Sequence, residues 1–184
     1  IAYGDGMWVA VGISGGGAKI AYSTDGISWT AAANSNIFGG VPTAVAYEPT
    51  SGRWVATAAK GGGNTNTIAY SDDGITWTAA YNSWTIFSGT CRSVVHDGTK
   101  WIAVGDGVNR MAYSSDGYTW SAVPSGNSAM TSIGYGIASN GSQLVAVGQG
   151  TNKIIYSYDG FNWSGATNSS SIFSLGGYCV VFDL

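Results

Sequence analysis

Hydrophobic and polar positions alternate in short runs along the whole chain, and turn-forming residues separate the runs. In Trp8-Val9-Ala10-Val11-Gly12, the Trp, Ala and Gly positions share one side and the two valines share the other. Similar runs begin at Trp54, Trp101 and Leu144. A period of two predicts β-strands whose two faces meet different surroundings.

A second repeated segment reads Ser-x-Asp-Gly-x-x-Trp, and we call it the aspartate turn. Asp-Gly between two apolar runs is a strong signal for a β-hairpin, because Gly adopts positive φ without a steric penalty. We expect each aspartate to accept hydrogen bonds from backbone N–H groups of its own turn, and each tryptophan to cover that turn. Because catalysis needs a unique constellation, the repetition favours a structural role over calcium binding or acid catalysis. The residues concerned are Asp25, Asp73, Asp116, Asp159, Trp29, Trp77, Trp120 and Trp163.

The spacing of the aspartate turns, 48, 43 and 43 residues, predicts the architecture. Each repeat contains four predicted strands, such as A (43–47), B (54–58), C (68–71) and D (75–79). Four antiparallel strands in roughly 40–50 residues are typical of a β-propeller blade. We therefore predict an all-β protein, with residues 1–184 forming one propeller domain or a segment of one. The predicted blades span approximately 1–33, 43–81, 92–123 and 135–166.

An extra strand is predicted over 178–183, because Val180-Val181-Phe182 aligns with Ile1-Ala2-Tyr3 at the end of strand A. Both termini would then compete for one place in a closed ring. This favours a segment of a longer propeller or repeat array. A four-bladed ring with a spare strand and a homo-oligomer are the alternatives.

The aspartate turns resemble Asp-box (BNR-type) repeats, which occur in sialidases, sortilin-like receptors, lectins and other β-propellers. The resemblance covers essentially the whole chain, although the usual motif has one more residue between Asp and Gly. Together with Trp-Val-Ala-Val-Gly, the turns also resemble repeats in phage and large-virus structural proteins and in bacterial secreted proteins. The resemblance implies an adhesive or structural role at an extracellular, cell-surface or virion location.

The loops between strands D and A carry the candidate binding residues, because a rigid scaffold usually presents function on its longer loops. They repeat an Asn-Ser and, in three copies, an Ile-Phe. One interpretation is that Ile-Phe fills the gap between blades while Asn caps a turn. The other is that the amides and nearby aromatics form shallow sugar sites. Tyr81 and Trp84 add large aromatics to one loop only. The asparagines concerned are Asn34, Asn82, Asn127 and Asn168.

Three basic residues, Lys19, Arg110 and Lys153, occupy equivalent positions just before strand C. They could attract an anionic ligand such as an acidic glycan. The alternative is solvated strand-end cations that discourage edge pairing.

The amino-acid composition argues against several classes of function for this protein. Charged residues are 9% of the chain and the net charge is −3, without a block of Lys or Arg, so nucleic-acid binding is not expected. No apolar run approaches the roughly 20 residues that span a membrane. Cys91 and Cys179 are expected to be buried free thiols rather than a disulfide. Neither a metal site nor a cofactor is predicted.

The chain contains few of the residues that sialidase catalysis would require. Arg53, Arg92 and Arg110 occupy different repeat positions, and the single glutamate, Glu48, lies in a tight turn. His96 stands where other repeats carry Tyr or Ser and reads as a substituted strand residue. The sequence predicts a non-enzymatic propeller that contacts a glycan or a protein surface. A purely architectural repeat and a fragment of a sialidase-like hydrolase are the alternatives.

Overall fold

Four antiparallel sheets, each of four strands, make up the fold. A computed structural model describes residues 1–13 and 15–182. The first sheet contains β1 (Ala2–Gly4), β2 (Met7–Val11), β3 (Ile20–Ser23) and β4 (Thr30–Ala31). The second contains β5 (Pro42–Glu48), β6 (Arg53–Ala58), β7 (Ile68–Ser71) and β8 (Thr78–Ala79). The third contains β9 (Cys91–His96), β10 (Trp101–Gly105), β11 (Met111–Ser114) and β12 (Ser121–Ala122). The fourth contains β13 (Gly134–Ser139), β14 (Leu144–Gly148), β15 (Ile154–Ser157) and β16 (Ser164–Gly165).

Within each sheet the strands pair in the order in which they occur along the chain. This is the meander of a propeller blade, and it confirms the predicted fold class. The fourth strand of each sheet is shorter than expected. β8 begins at Thr78 instead of Ile75, because the backbone of residues 75–77 bonds to Ala33, in the loop after the first sheet. Ala33 forms a parallel bridge with Thr76, and its N–H donates to the Ile75 carbonyl at 2.7 Å.

Three short helices lie in the loops that follow strand D, and the sequence did not predict them. They are α1 (Ser83–Ile86), α2 (Pro124–Ala129) and α3 (Ser169–Ile172). Each comprises four to six residues, too few for an apolar periodicity to be visible.

Successive sheets pack face to face. The first strand of each sheet lies against the first strand of the next, so that β1 contacts β5, β5 contacts β9 and β9 contacts β13. Three buried clusters fill the spaces between the sheets. The first contains Phe38 and Trp77, the second Phe87 and Trp120, and the third Met130. The loop residues Phe38, Phe87 and Met130 thus fill the gaps between blades.

The stack is open at both ends. Among the described residues, no comparable packing joins the first sheet to the fourth. Trp29 of the first aspartate turn is 40% exposed, whereas Trp77, its counterpart in the second sheet, is completely buried. The difference follows from position, because only Trp77 has a preceding sheet to cover it.

Residues 178–182 do not form the extra strand predicted over 178–183, and residue 183 lies outside the described residues. The segment lies near β13, with the Tyr178 ring 4.9 Å from that of Tyr135. A first strand is held in each sheet by the second strand of the same sheet. Residues 178–182 pair with no strand within the part of the chain that the structure describes.

The prediction of two buried thiols is wrong for Cys179. Both cysteines are free, but only Cys91 is buried, and Cys179 is exposed. Cys91 lies in β9 between two sheets, whereas Cys179 belongs to the unpaired segment. No helix in the described part of the chain is long and apolar enough to cross a membrane.

Candidate functional site

The loop after β8 presents two exposed aromatic side chains. Tyr81 is 63% exposed and Trp84 is 46% exposed. Within residues 1–13 and 15–182, no ring contact involves Trp84. Its indole therefore offers an apolar face together with a hydrogen-bond donor, the combination that sugar-binding surfaces use.

The base of α1 is rigid, which fixes the direction of Trp84. Ile86 and Phe87 are buried beneath the helix. The Thr67 hydroxyl donates to the Ser83 carbonyl at 2.6 Å and ties the helix to β7. Since the supporting residues are buried and bonded, little conformational entropy remains for a ligand to remove.

Tyr81 belongs to an aromatic row that crosses from the second sheet to the third. Its ring lies 6.0 Å from that of Tyr118, which in turn lies 5.5 Å from that of Tyr70. The Arg53 guanidinium covers the other end of the row, 4.9 Å from the Tyr70 ring. The sequence analysis missed Tyr118, although a signal was present: the equivalent positions in the first two aspartate turns carry Ile27 and Ile75.

Asn82 binds the turn of the next sheet through both its amide nitrogen and its amide oxygen. Its Nδ2 donates to the Trp120 carbonyl at 2.6 Å, and its Oδ1 accepts from the Trp120 N–H at 3.1 Å. Asn34 makes the equivalent contact to the Trp77 carbonyl at 3.4 Å. These asparagines connect each sheet to the following one, and we call the contact the amide latch.

Asn127 is not equivalent to Asn34 and Asn82, contrary to the repeat alignment. Ser125 occupies the latch position in the third loop, where its hydroxyl accepts from the Trp163 N–H at 3.2 Å. Asn127 instead accepts from the N–H groups of Arg110 and Met111, at 2.6 and 3.0 Å. Counting from the end of strand D, rather than from the Asn-Ser pair, gives the correct equivalence.

Asn168 occupies the latch position of the fourth loop, but among the described residues no further sheet lies next to it to accept the contact. It is exposed and left-handed, with φ of 61°, and its side chain makes no hydrogen bond within the described residues. The four predicted asparagines therefore have three different environments and do not form four equal ligand sites.

The three basic residues donate hydrogen bonds to backbone carbonyls of nearby loops. Lys19 Nζ donates to the carbonyls of Phe38, Gly39 and Gly40 at 2.7, 3.1 and 3.1 Å. Arg110 donates to the Val108 and Thr131 carbonyls at 3.0 and 3.4 Å. Lys153 donates to the Gly150 carbonyl. Each cation thus supports a loop, and the structure does not bring the three together around one ligand.

The aspartate turns contain the hydrogen bonds that the sequence predicts. Asp25 Oδ1 accepts from the N–H groups of Ile27 and Ser28 at 2.8 and 2.7 Å, and from the Ser23 hydroxyl at 2.9 Å. The N–H of Ser28, followed by that of Ile27, holds the pKa of the Asp25 carboxyl well below its ordinary value. The Trp120 and Trp163 indoles donate to the Gly117 and Gly160 carbonyls and close the turns.

The three arginines have separate partners. Arg53 bonds to Asp72 and to the Asp116 carbonyl, Arg92 bonds to Asp106, and Arg110 bonds to loop carbonyls. A substrate carboxylate would have to displace these partners before the guanidinium groups could converge on it. No group of three or more His, Cys, Asp and Glu side chains suited to a metal ion is present in the part of the chain that the structure describes.

A depression of about 380 Å³ between the second and third sheets contains Glu48, Arg53 and His96. Burial by itself raises the pKa of Glu48. Hydrogen bonds from the Ser51 hydroxyl and from the N–H groups of Ser51 and Thr50 outweigh this effect and lower the pKa to about 2. For His96, burial disfavours the charged imidazolium and lowers the pKa, although the nearby carboxylates act to raise it. Glu48 is therefore an ionised turn-forming carboxylate and lacks the raised pKa of a general acid.

Four-stranded meander sheets packed face to face define a β-propeller architecture. No family model and no curated protein matches the chain. Among solved structures, a GH74 enzyme of Niastella koreensis is 19% identical, with a TM-score of 0.43 over 92% of this chain and 31% of its own. A GH32 beta-fructofuranosidase of Bombyx mori is 14% identical, with a TM-score of 0.43 over 90% of this chain and 47% of its own. The chain spans less than half of either protein, and at this identity the likeness concerns the fold alone.

Proposed function

We propose that the protein is a non-enzymatic binding module that recognises a glycan through the loop bearing Tyr81 and Trp84. The observation that supports this is the exposure of Trp84 on a helix whose base is buried. The equivalent helix of the fourth loop has Ser170 at this position, so the tryptophan is not needed to form the helix. A large aromatic held outward on a rigid support suits the C–H face of a pyranose ring.

The polar part of the contact comes from groups other than the asparagines. The amide latch uses Asn34 and Asn82, and Asn127 supports β11. The Tyr81 hydroxyl and the Trp84 indole N–H remain as donors beside the apolar faces. A site with so few polar groups fits a neutral saccharide. An extracellular or virion-surface location accompanies this proposal.

Glycan-array screening followed by titration tests the proposal. We expect Trp84→Ala to weaken binding of the best glycan by at least about tenfold, since aromatic anchors dominate such contacts. Ser170→Ala, at the equivalent position of α3, is the matched control and should bind as the wild type does. Binding that survives Trp84→Ala would contradict the proposal, and so would hydrolysis of a sialoside by the protein.

The repetition of four similar sheets, each packed on the next through its first strand, favours a second candidate function, an architectural repeat of a fibre, filament or capsid. In that case the protein binds no glycan, and its interactions are with blades of the same kind. An array without any bound glycan, together with self-association, would favour this candidate over the first.

A further inference from the structure

The aromatic row of Tyr81, Tyr118 and Tyr70 leads away from the loop that bears Trp84 and ends at a polar depression. The Tyr118 ring lies between the other two, 6.0 Å from that of Tyr81 and 5.5 Å from that of Tyr70. We propose that the glycan site extends along this row, so that its ligand is a linear, uncharged oligosaccharide of several rings. This inference rests on the proposed function, because it lengthens the site that begins at Trp84.

The row lies at the joint between the second and third sheets, and the other joints manage without it. The Tyr81 N–H donates to the Tyr118 carbonyl at 3.0 Å. In the preceding joint the same backbone contact joins Ala33 to Ile75, at 2.7 Å. In the following joint Pro124 stands at the position of Tyr81. Small or aliphatic residues therefore suffice to pack a joint, so packing alone does not account for the two tyrosines.

Tyr118, in the middle of the row, is both accessible and held in place. Its side chain is 39% exposed. Its N–H donates to Asp116 Oδ1 at 2.8 Å, and its carbonyl accepts from the Tyr81 N–H. Because the backbone on both sides of the ring is bonded, a ligand would find the aromatic face already oriented. Such a face suits the C–H surface of a sugar ring.

Free polar groups lie at the Tyr70 end of the row. Thr78 is the cross-strand partner of Tyr70, so their side chains share one face of the second sheet. A depression of about 250 Å³ there is lined by Tyr70, Asp72 and Thr78, among others. Within residues 1–13 and 15–182, neither Asp72 Oδ2 nor the Thr78 hydroxyl makes a hydrogen bond. They offer an acceptor and a donor to sugar hydroxyls beside the aromatic ring.

The charges around this depression favour an uncharged ligand. Two carboxylates, those of Asp72 and Asp73, line it, and the Asp72 side chain is 64% exposed. The nearby guanidinium of Arg53 is already paired, since its Nε and Nη2 donate to Asp72 Oδ1 at 2.8 and 2.6 Å. An acidic sugar would therefore meet carboxylates without a free cation to offset them. A neutral chain can place its ring faces on the tyrosines and its hydroxyls toward Asp72.

Isothermal titration calorimetry with oligosaccharides of increasing length tests the proposal. The probes are uncharged linear chains of one to five rings, made of β-1,4-linked glucose, β-1,4-linked N-acetylglucosamine or α-1,4-linked glucose. In the series that binds, affinity should rise at least about tenfold between two rings and four. Tyr118→Ile introduces the residue that the first two aspartate turns carry at this position. It should reduce the gain to less than about threefold and leave the affinity for two rings unchanged.

Phe161→Ile is the matched control, because it makes the same kind of change at the equivalent position of the fourth sheet, and the gain with length should remain. Urea unfolding verifies that both variants are folded. If an array glycan binds through Trp84 but no series gains affinity with length, this inference is overturned and the proposed function stands. An equal loss of the gain in both variants also overturns it. If no glycan binds at all, the proposed function fails together with this inference.

Discussion

At the scale of single residues, one carboxylate oxygen holds each aspartate turn together. Asp73 Oδ1 accepts from the N–H groups of Ile75 and Thr76 at 2.8 and 2.6 Å, and from the Ser71 hydroxyl at 2.9 Å. Burial raises the pKa of Asp73, but the N–H of Thr76, and then that of Ile75, more than offset this and leave it below its ordinary value. The charge is therefore part of the folded turn.

Replacement of this carboxylate should destabilise the protein. We expect Asp73→Ala to lower the free energy of unfolding by about 1–2 kcal/mol, because it leaves two turn N–H groups without their acceptor. Equilibrium unfolding in urea measures the change. The same midpoint and slope as in the wild type would show that the turn does not depend on the aspartate.

Asp73→Asn separates the acceptor from the charge, because the amide oxygen can accept the same three bonds. It should lose less stability than Asp73→Ala at neutral pH. The folded-state pKa of Asp73 is lowered, so its contribution is present above the unfolded pKa of about 3.9 and is lost as pH falls through the folded value. The asparagine variant should lose less stability over that acidic range than the wild type does.

The sequence predicted the residue roles that repeat, and it failed where a role depends on a neighbouring sheet. The aspartates and the indole groups of the turn tryptophans make hydrogen bonds within their own turns, so their spacing was sufficient to predict these bonds. Asn127 was assigned to the wrong set because its loop departs from the common spacing, and only the contact of Ser125 with Trp163 reveals the equivalence. Cys179 was expected to be buried because its strand was expected to be paired.

At the scale of elements, the joint between sheets depends on the amide latch. We expect Asn82→Ala to destabilise the protein by about 1–3 kcal/mol, because it leaves the Trp120 N–H and carbonyl without partners next to a buried indole. Asn168→Ala removes the same side chain where it makes no hydrogen bond. Urea unfolding of each variant measures both changes.

Asn168→Ala should have nearly the stability of the wild type. Equal losses for the two variants would mean that the cost comes from the loop itself and not from the joint. Asn34→Ala should fall between them, since its single contact is longer, at 3.4 Å.

Strands were predictable because alternation and turn residues are local signals. β7 begins and ends at the predicted residues, and β6 extends one residue further than expected. The fourth strands were predicted too long because Ile75, Thr76 and Trp77 look like strand residues. Their backbone groups instead bond to Ala33, in the loop after the first sheet, and the sequence of the second sheet alone does not reveal that contact.

At the scale of the whole molecule, each sheet is stabilised by its neighbours. Within residues 1–13 and 15–182, the second and third sheets have a neighbouring sheet on both faces, and the first and fourth have a neighbouring sheet on one face. In such arrays stability is approximately a sum of terms for each repeat and each contact between adjacent repeats. The end sheets of a single copy should therefore open more often than the central pair.

Hydrogen exchange measures this difference. In the 184-residue chain, backbone amides of β6 and β10 should exchange more slowly than those of β2 and β14. Uniform protection in the single chain would contradict the nearest-neighbour description.

The repeated joint also bears on how such a molecule could change its size. Every joint uses the same few groups, a polar side chain three residues after strand D and the backbone around the next turn tryptophan. A sheet inserted or removed as a unit would meet neighbours that already carry the matching groups. The number of sheets is thus not fixed within any one of them, so gene duplication could lengthen the array one repeat at a time, with the angle of the joint deciding where it closes.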